Sequence, residues 1–393
     1  MQPDLFQLIK NWILGRTEAE ETPIRPRKKS RYQPDSEKDE NLKSTLEEDS
    51  SKGFLVRNVE SIKFVTETKA EKEAKSQEEL QDLEDVSSDV VSDSFNPNEQ
   101  HIMKYPKGKL IAIGGSEDKT KFLDDDATGK HKLDFYEAGV LRKVLNAMRG
   151  VSSRIEVITT ASSVPYEIGE DYVRAFAELG NRCNLMHIKD TYDVRDSGYI
   201  NRIKDADGVL FTGGDQVKLC NVFRGSEILE ILHYRYQHEN FVIAGTSAGA
   251  MAMSEIMIEG GNSQRSLMKG EVTIGRGLGF ISRIIIDSHF MQRGRFGRLV
   301  KTVAMYPDKI GIGLGEDTAV IISRGTHLQV IGSGHVIIVD GSKVKFNNIH
   351  EVEDAMPFSI DNLIVHVAAR DCHYDLKTLK MTHRPEEYQY KVK

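Results

Sequence analysis

An α/β fold is what this sequence predicts: a mostly parallel sheet covered by helices on both faces, with antiparallel additions toward the C-terminus. Three observations carry the prediction. Short apolar runs rich in Val and Ile alternate with amphipathic stretches, at the spacing of strand–helix–strand units, from residue 109 to residue 252. Several of these runs end on glycine turns, at Gly114-Gly115, Gly213-Gly214 and Gly245. From residue 310 onward, apolar runs follow one another with only Gly, Asp and Ser turns between them, a hairpin pattern.

The first hundred residues are of another texture. They hold 15 basic and 23 acidic side chains, against 38 and 37 in the remainder, so the formal net charge of −7 belongs to an N-terminal extension. Residues 1–107 are read as that extension, acidic and largely disordered, and residues 108–393 as the α/β domain. Within the extension, Leu5, Phe6, Ile9, Trp12 and Ile13 share one helical face, and Phe54 to Val65 is apolar enough to dock. The near-neutral remainder carries no nucleic-acid footprint. Cys183, Cys220 and Cys372 are too few and scattered for a disulfide framework or a zinc site. No metal-ligand spacing or nucleotide fingerprint stands out, so neither metal nor cofactor is expected. The chain has no apolar run of membrane-spanning length and no basic segment leading into an apolar core, and reads as a reduced, cytoplasmic protein.

Each element of the domain has its own warrant. Residues 110–113 are an apolar strand stopped by Gly114-Gly115, and after a polar loop the apolar spacing gives a helix over about 134–148. Strands follow at 155–160 and 183–188, with an amphipathic helix over 168–179 between them. A helical stretch at 200–204 leads to a strand at 208–212, then to Gly213-Gly214-Asp215-Gln216 and a helix through residue 236. Beyond residue 252 come a strand at 283–287, a helix over 289–304, and strands at 310–314, 319–323, 328–331 and 336–339, read as additions at the sheet edge. Ligands of such sheets bind beyond the carboxyl ends of the strands, where the glycine turns fall.

One of those ends carries chemistry. Phe241-Val242-Ile243-Ala244 is a strand, Gly245-Thr246-Ser247-Ala248-Gly249 a Gly-x-Ser-x-Gly turn, and Ala250-Met251-Ala252 a run of helix formers. That context makes a nucleophile elbow, with Ser247 pushed out of the sheet end and the first N–H groups of a helix aimed at the reacting centre. A bare Gly-x-Ser-x-Gly is more often a glycine-rich strand end; the flanking strand and helix decide for the elbow. A serine hydroxyl needs a base and oxyanion donors. Of 12 histidines, His289 directly follows an apolar strand, at the end of the sheet where the site belongs. Asp287, Glu316 and Asp317 could each orient it, and spacing leaves the three open. The N–H of Ala248 is the expected oxyanion donor, with Gly214 as the second. Asp215 reads both as a helix N-cap and as a site residue. Arg293, Arg295 and Arg298 crowd beside the proposed base and suit fork-like binding of carboxylates, so truncating Arg295 or Arg298 is expected to harm binding more than folding.

Seven blocks together resemble the cyanophycinase family: Gly114-Gly115-Ser116-Glu117-Asp118-Lys119, Thr212-Gly213-Gly214-Asp215-Gln216, Gly245 to Ala250, Gly277-Leu278-Gly279-Phe280, Asp287-Ser288-His289-Phe290, Gln292 to Leu299, and Gly311 to Ala319. The resemblance runs from about residue 108 to near the C-terminus. It implies a flavodoxin-like, class I glutamine amidotransferase-like fold and a homodimeric serine exopeptidase. The substrate it implies is cyanophycin, a poly-aspartate with arginine on each β-carboxyl, released as β-Asp-Arg dipeptides. Carried over by position, it makes Ser247 the nucleophile, His289 the base and Glu316 the third member of the triad. It puts Gln216, Asp287, Ser288, Arg293, Arg295 and Arg298 on substrate-binding positions. Ser288 stands where the family usually has glutamine, which removes an amide from that position. A substrate with both carboxylate and guanidinium calls for acids as well as arginines, and Asp215, Asp287 and Asp317 are the candidates for the guanidinium. The competing expectations are a dipeptidase for small α- or iso-aspartyl peptides and a non-catalytic binding protein on the same fold.

Overall fold

The computed structural model describes residues 105–117, 119 and 138–383, and the readings made for residues 1–104 and 134–137 lie outside them. The chain divides into Met1–Ile102 and Met103–Lys393, and every described residue belongs to the second unit.

In chain order the elements are β1 (Lys109–Ile113), α1 (Val140–Ala147), β2 (Ile155–Ile158), α2 (Pro165–Glu178), β3 (Asn184–Met186), α3 (Ser197–Asp205), β4 (Gly208–Phe211), α4 (Gln216–Phe223), α5 (Glu227–His238), β5 (Val242–Thr246) and α6 (Ala248–Met251). They continue as β6 (Ile256–Gly261), β7 (Val272–Arg276), β8 (Ile284–Asp287), α7 (Phe296–Met305), β9 (Ile310–Leu314), β10 (Thr318–Ser323), β11 (His327–Gly332), β12 (Val336–Asp340), β13 (Phe346–Asn347), β14 (Ile360–Asp361), β15 (Ile364–Ala368), β16 (Cys372–Asp375) and β17 (Lys380–His383).

The main sheet has the order β17-β16-β11-β10-β1-β5-β4-β2-β3. From β1 through β5, β4 and β2 to β3 every pairing is parallel; from β1 through β10, β11 and β16 to β17 every pairing is antiparallel. The α/β architecture with antiparallel additions is as the sequence predicts. Strand β1 shows how both faces are covered. Leu110 and Ala112 point into one apolar layer with α3, α4 and α5, while Ile111 and Ile113 point into the other with α1 and α2. All four are fully buried, the period-2 alternation expected of a strand between two layers.

The additions are not all at one edge. A second sheet of order β15-β12-β9-β8 stands apart from the first, with β8 and β9 parallel and β12 antiparallel to β9 and β15. Ile284, Ile286, Ile312 and Leu314 belong to the same apolar cluster as Leu110 and Ala112, so the second sheet packs into the layer on that face. The hairpin β6–β7 is a further element the sequence reading missed.

Two predicted helices are shorter than expected. The one running through residue 236 breaks into α4 and α5 because Gly225 takes φ +73 and Ser226 caps the second segment, its Oγ accepting from Leu229 N at 3.2 Å. The one predicted from residue 289 starts instead at Phe296, since His289 and Gly294 have φ of 46 and 57, outside the helical region.

Candidate active site

The site is assembled from strand ends. Ser247 follows β5 with φ 51 and ψ −110, a conformation that L residues rarely occupy and that the elbow holds by a bond from Ser247 N to Ile113 O at 2.9 Å. The helix after it, α6, has only four residues, so its leading N–H groups matter more than any helix dipole. Gly249 is fixed by packing: a Cβ there would lie 2.8 Å from Phe211 Cβ. Gly213 passes beside Ser247, where a Cβ would meet Ser247 Cβ at 3.3 Å, and Gly214 has φ +140.

His289 and Glu316 come from the other sheet, at the ends of β8 and β9. His289 Nε2 lies 2.9 Å from Ser247 Oγ, and His289 Nδ1 lies 2.7 Å from Glu316 Oε1. A carboxylate oxygen can only accept, so the pair with Glu316 assigns the ring proton to Nδ1 and leaves Nε2 to accept from the serine hydroxyl. His289 is 8 % exposed, buried apart from the part of it that lines the cleft. The three alternatives for the orienting acid thus separate geometrically: Glu316 meets the ring, Asp287 points elsewhere, and Asp317 accepts from Ser333 Oγ at 2.5 Å.

The loop after β1 stitches the two sheets at this point. Gly114 O accepts from His289 N at 2.8 Å, Gly114 N donates to Thr318 O at 2.8 Å, and Gly115 O accepts from Asp317 N at 3.0 Å. Gly115 has φ +102, and a Cβ on it would lie 2.5 Å from His289 Nε2. The sequence reading noted this glycine as a strand end and missed why no side chain fits.

A cleft of about 440 Å³ opens on the relay, and its walls include Ser247, His289, Gly214, Glu117, Lys119 and Arg293. Ala248, 2 % exposed, begins α6 directly behind the serine. Of the three arginines expected at the rim, Arg293 lines the cleft and is exposed. Arg295 and Arg298 turn inward onto Asp287, which is fully buried. Arg295 Nη1 donates to Asp287 Oδ1 at 3.0 Å, and Arg298 Nη2 to the same oxygen at 3.2 Å. Arg298 Nε stands 3.1 Å from Asp287 Oδ2, close enough for the charges to pair although the atoms are poorly aligned for a hydrogen bond. Burial pushes the Asp287 carboxyl up, and Arg298 and Arg295 offset only part of that. Arg298 is buried and Arg295 largely so, and their pairing with Asp287 gives both a part in the fold as well as the binding part expected of them.

The remaining predicted contacts are also engaged elsewhere. Ser288 is fully buried, with its Oγ 3.2 Å from Met251 Sδ, so the position of the missing amide faces the core. Gln216 Nε2 donates to Ile258 O at 3.0 Å and Glu259 O at 2.7 Å, tying α4 to β6. Asp215 caps α4, its Oδ1 accepting from Val217 N at 2.8 Å and Lys218 N at 3.2 Å. Of the three acids expected to hold a guanidinium, Asp287 is fully buried, whereas Asp215 is exposed and caps α4 through one oxygen and Asp317 is half-buried. The cleft wall that sequence reasoning missed is Glu117 with Tyr172: their polar and amphipathic surroundings in the chain give no sign of burial, yet both are enclosed.

Comparison with known proteins adds an independent line. Residues 128–331 match the model of Peptidase family S51. A cyanophycinase of Geminocystis herdmanii is 31% identical over 276 residues, covering 70% of this chain and 96% of that protein. One of Trichormus variabilis is 34% identical over 262 residues, covering 66% and 83%, and one of Synechococcus elongatus 30% identical over 279 residues, covering 71% and 82%. Among solved structures, a peptidase from an acI-B1 Actinobacterium aligns with TM-score 0.46 and 20% identity, over 67% of this chain and 98% of that one.

Proposed function

The chain belongs to peptidase family S51, a serine-type peptidase family, and from that premise we propose that it is an exopeptidase that cleaves cyanophycin to β-Asp-Arg dipeptides through an acyl-enzyme on Ser247. The observation that carries the reading is the unbroken relay from Ser247 Oγ through His289, at 2.9 Å and 2.7 Å, to Glu316. His289 Nε2 takes the hydroxyl proton as Ser247 Oγ adds to the scissile carbonyl. Glu316 holds the ring with Nδ1 protonated and stabilises the imidazolium that forms. The N–H groups of Ala248 and Gly214 receive the oxyanion, in the manner of a nucleophile elbow. His289 then returns the proton to the departing amine, and a water deprotonated at the same nitrogen releases the acyl group. Cyanophycin as the polymer is supported by the relatives that bear that name at 30–34% identity.

The test is incubation of the full chain with purified cyanophycin, read by mass spectrometry. β-Asp-Arg release by the native protein, and none by Ser247→Ala, is the expected result. Cleavage of small aspartyl peptides alone, or binding of the polymer without turnover, would overturn the proposal.

A further inference from the structure

Glu117, Lys119 and Tyr172 form a charged wall of the cleft for which the hydrolytic relay has no use. Glu117 is 4 % exposed. Its Oε1 accepts from the Tyr172 hydroxyl and lies 3.0 Å from Lys119 Nζ, while its Oε2 accepts from Thr246 Oγ1 at 2.7 Å. Thr246 is the residue before the nucleophile, so one carboxylate ties the Lys119 ammonium to the strand that carries Ser247. The ammonium also sits 4.8 Å from the centre of the Tyr172 ring. Burial alone would push the Glu117 carboxyl up; the Lys119 charge and the hydrogen bonds from Tyr172 and Thr246 outweigh it and hold the group below the usual carboxylate range.

A count of donors and acceptors shows which charge faces the cleft. Glu117 has a side chain 1% exposed, with three partners on its two oxygens, and has little left to offer a ligand. Lys119 has a side chain 22% exposed and lines the cleft, and only one of its three N–H donors is spent on Glu117. An exposed lysine–carboxylate pair is usually loose and nearly without effect. Here the carboxylate is enclosed and cannot follow the lysine outward, so the pair holds the ammonium to the wall of the cleft that Ser247 also lines. Arg293 supplies a second cation on the same cleft.

We propose that Lys119 is a specificity-determining residue that binds a free carboxylate of the substrate, its ammonium held in position by Glu117 and Tyr172. The inference rests on the cyanophycin reading, in which the available carboxylates are those of the arginines attached to the aspartate chain. Glu117 is on this account a positioning residue, acting through Lys119.

The experiment compares two synthetic β-Asp-Arg oligomers, one with free arginine carboxylates and one with those groups amidated, in the full chain and in Lys119→Met and Lys119→Arg. A charge-assisted hydrogen bond is worth about 10- to 100-fold in kcat/KM. The native protein should prefer the free acid by that factor, Lys119→Met should bring the ratio toward one through KM, and Lys119→Arg should keep most of the preference. Labelling of Ser247 by a fluorophosphonate reports whether each variant retains its site. If Lys119→Met fails that control, Glu117→Gln is added to it, which removes the stranded charge, and the same ratio is read. A ratio unchanged from the native protein overturns the role of Lys119 alone. A native protein that cleaves neither oligomer overturns the peptidase proposal along with it.

Discussion

Gly115→Ala puts the closeness of imidazole and hydroxyl under direct strain. The φ of +102 already disfavours an L residue by about 1–2 kcal/mol. The added methyl would stand 2.5 Å from His289 Nε2, whereas ordinary contact begins near 3.4 Å, so something must yield by about 0.9 Å. The loop is the stiffer partner, pinned by bonds of 2.8, 2.8 and 3.0 Å at Gly114 and Gly115, so the ring is what moves. A displacement of that size stretches the 2.9 Å bond to Ser247 Oγ past hydrogen-bond range. Misplacement of a catalytic group by about 1 Å costs on the order of 100-fold in rate. Steady-state kinetics on β-Asp-Arg polymer should therefore show kcat down by about 100-fold with KM within a few-fold, and thermal melting should fall by only a few degrees. A folded Gly115→Ala with kcat within threefold of native would refute the reasoning, because the ring would then have no need of its place.

Two further outcomes follow from the buried charges. Arg298→Met leaves Asp287, fully buried, with Arg295 as its remaining cation; urea unfolding should lose about 3 kcal/mol, at the low end for a broken buried pair, and a loss below about 1 kcal/mol would show that Arg295 suffices. Glu117 has a folded pKa below its usual value, so its contribution is complete above an unfolded pKa of about 4.3 and is lost as pH falls through the lower folded value. The stability of the native protein relative to Glu117→Gln should accordingly decline on acidification below about pH 4.3; a difference that grows on acidification would contradict the assigned direction.

Much of the site was legible because its chemistry sits at strand ends, where apolar runs stop abruptly. Ser247 was marked by a strand, a glycine pair and small helix formers, and His289 by the isoleucines before it. What the chain could not display is which sheet a run joins. Ile284–Asp287 and Ile310–Leu314 are as apolar as Lys109–Ile113, and only the packing sorts them into separate sheets. Burial of polar groups was equally hidden. Glu117 lies in Ser116-Glu117-Asp118-Lys119, a run that reads as solvated, and Arg298 reads as one of three exposed arginines until Asp287 is placed beneath it. The break between α4 and α5 falls at Gly225-Ser226, a stop followed by a cap, but the apolar spacing continues across it and masks the boundary.

Ser247 follows a strand of one sheet and His289 and Glu316 follow strands of the other, with the loop at Gly114-Gly115 hydrogen-bonded to both sides of the seam between them. Turnover therefore gauges the seam, while melting gauges the layers. A small slip between them would silence the protein with every strand still in place, so loss of function on warming or in mild denaturant should run ahead of unfolding.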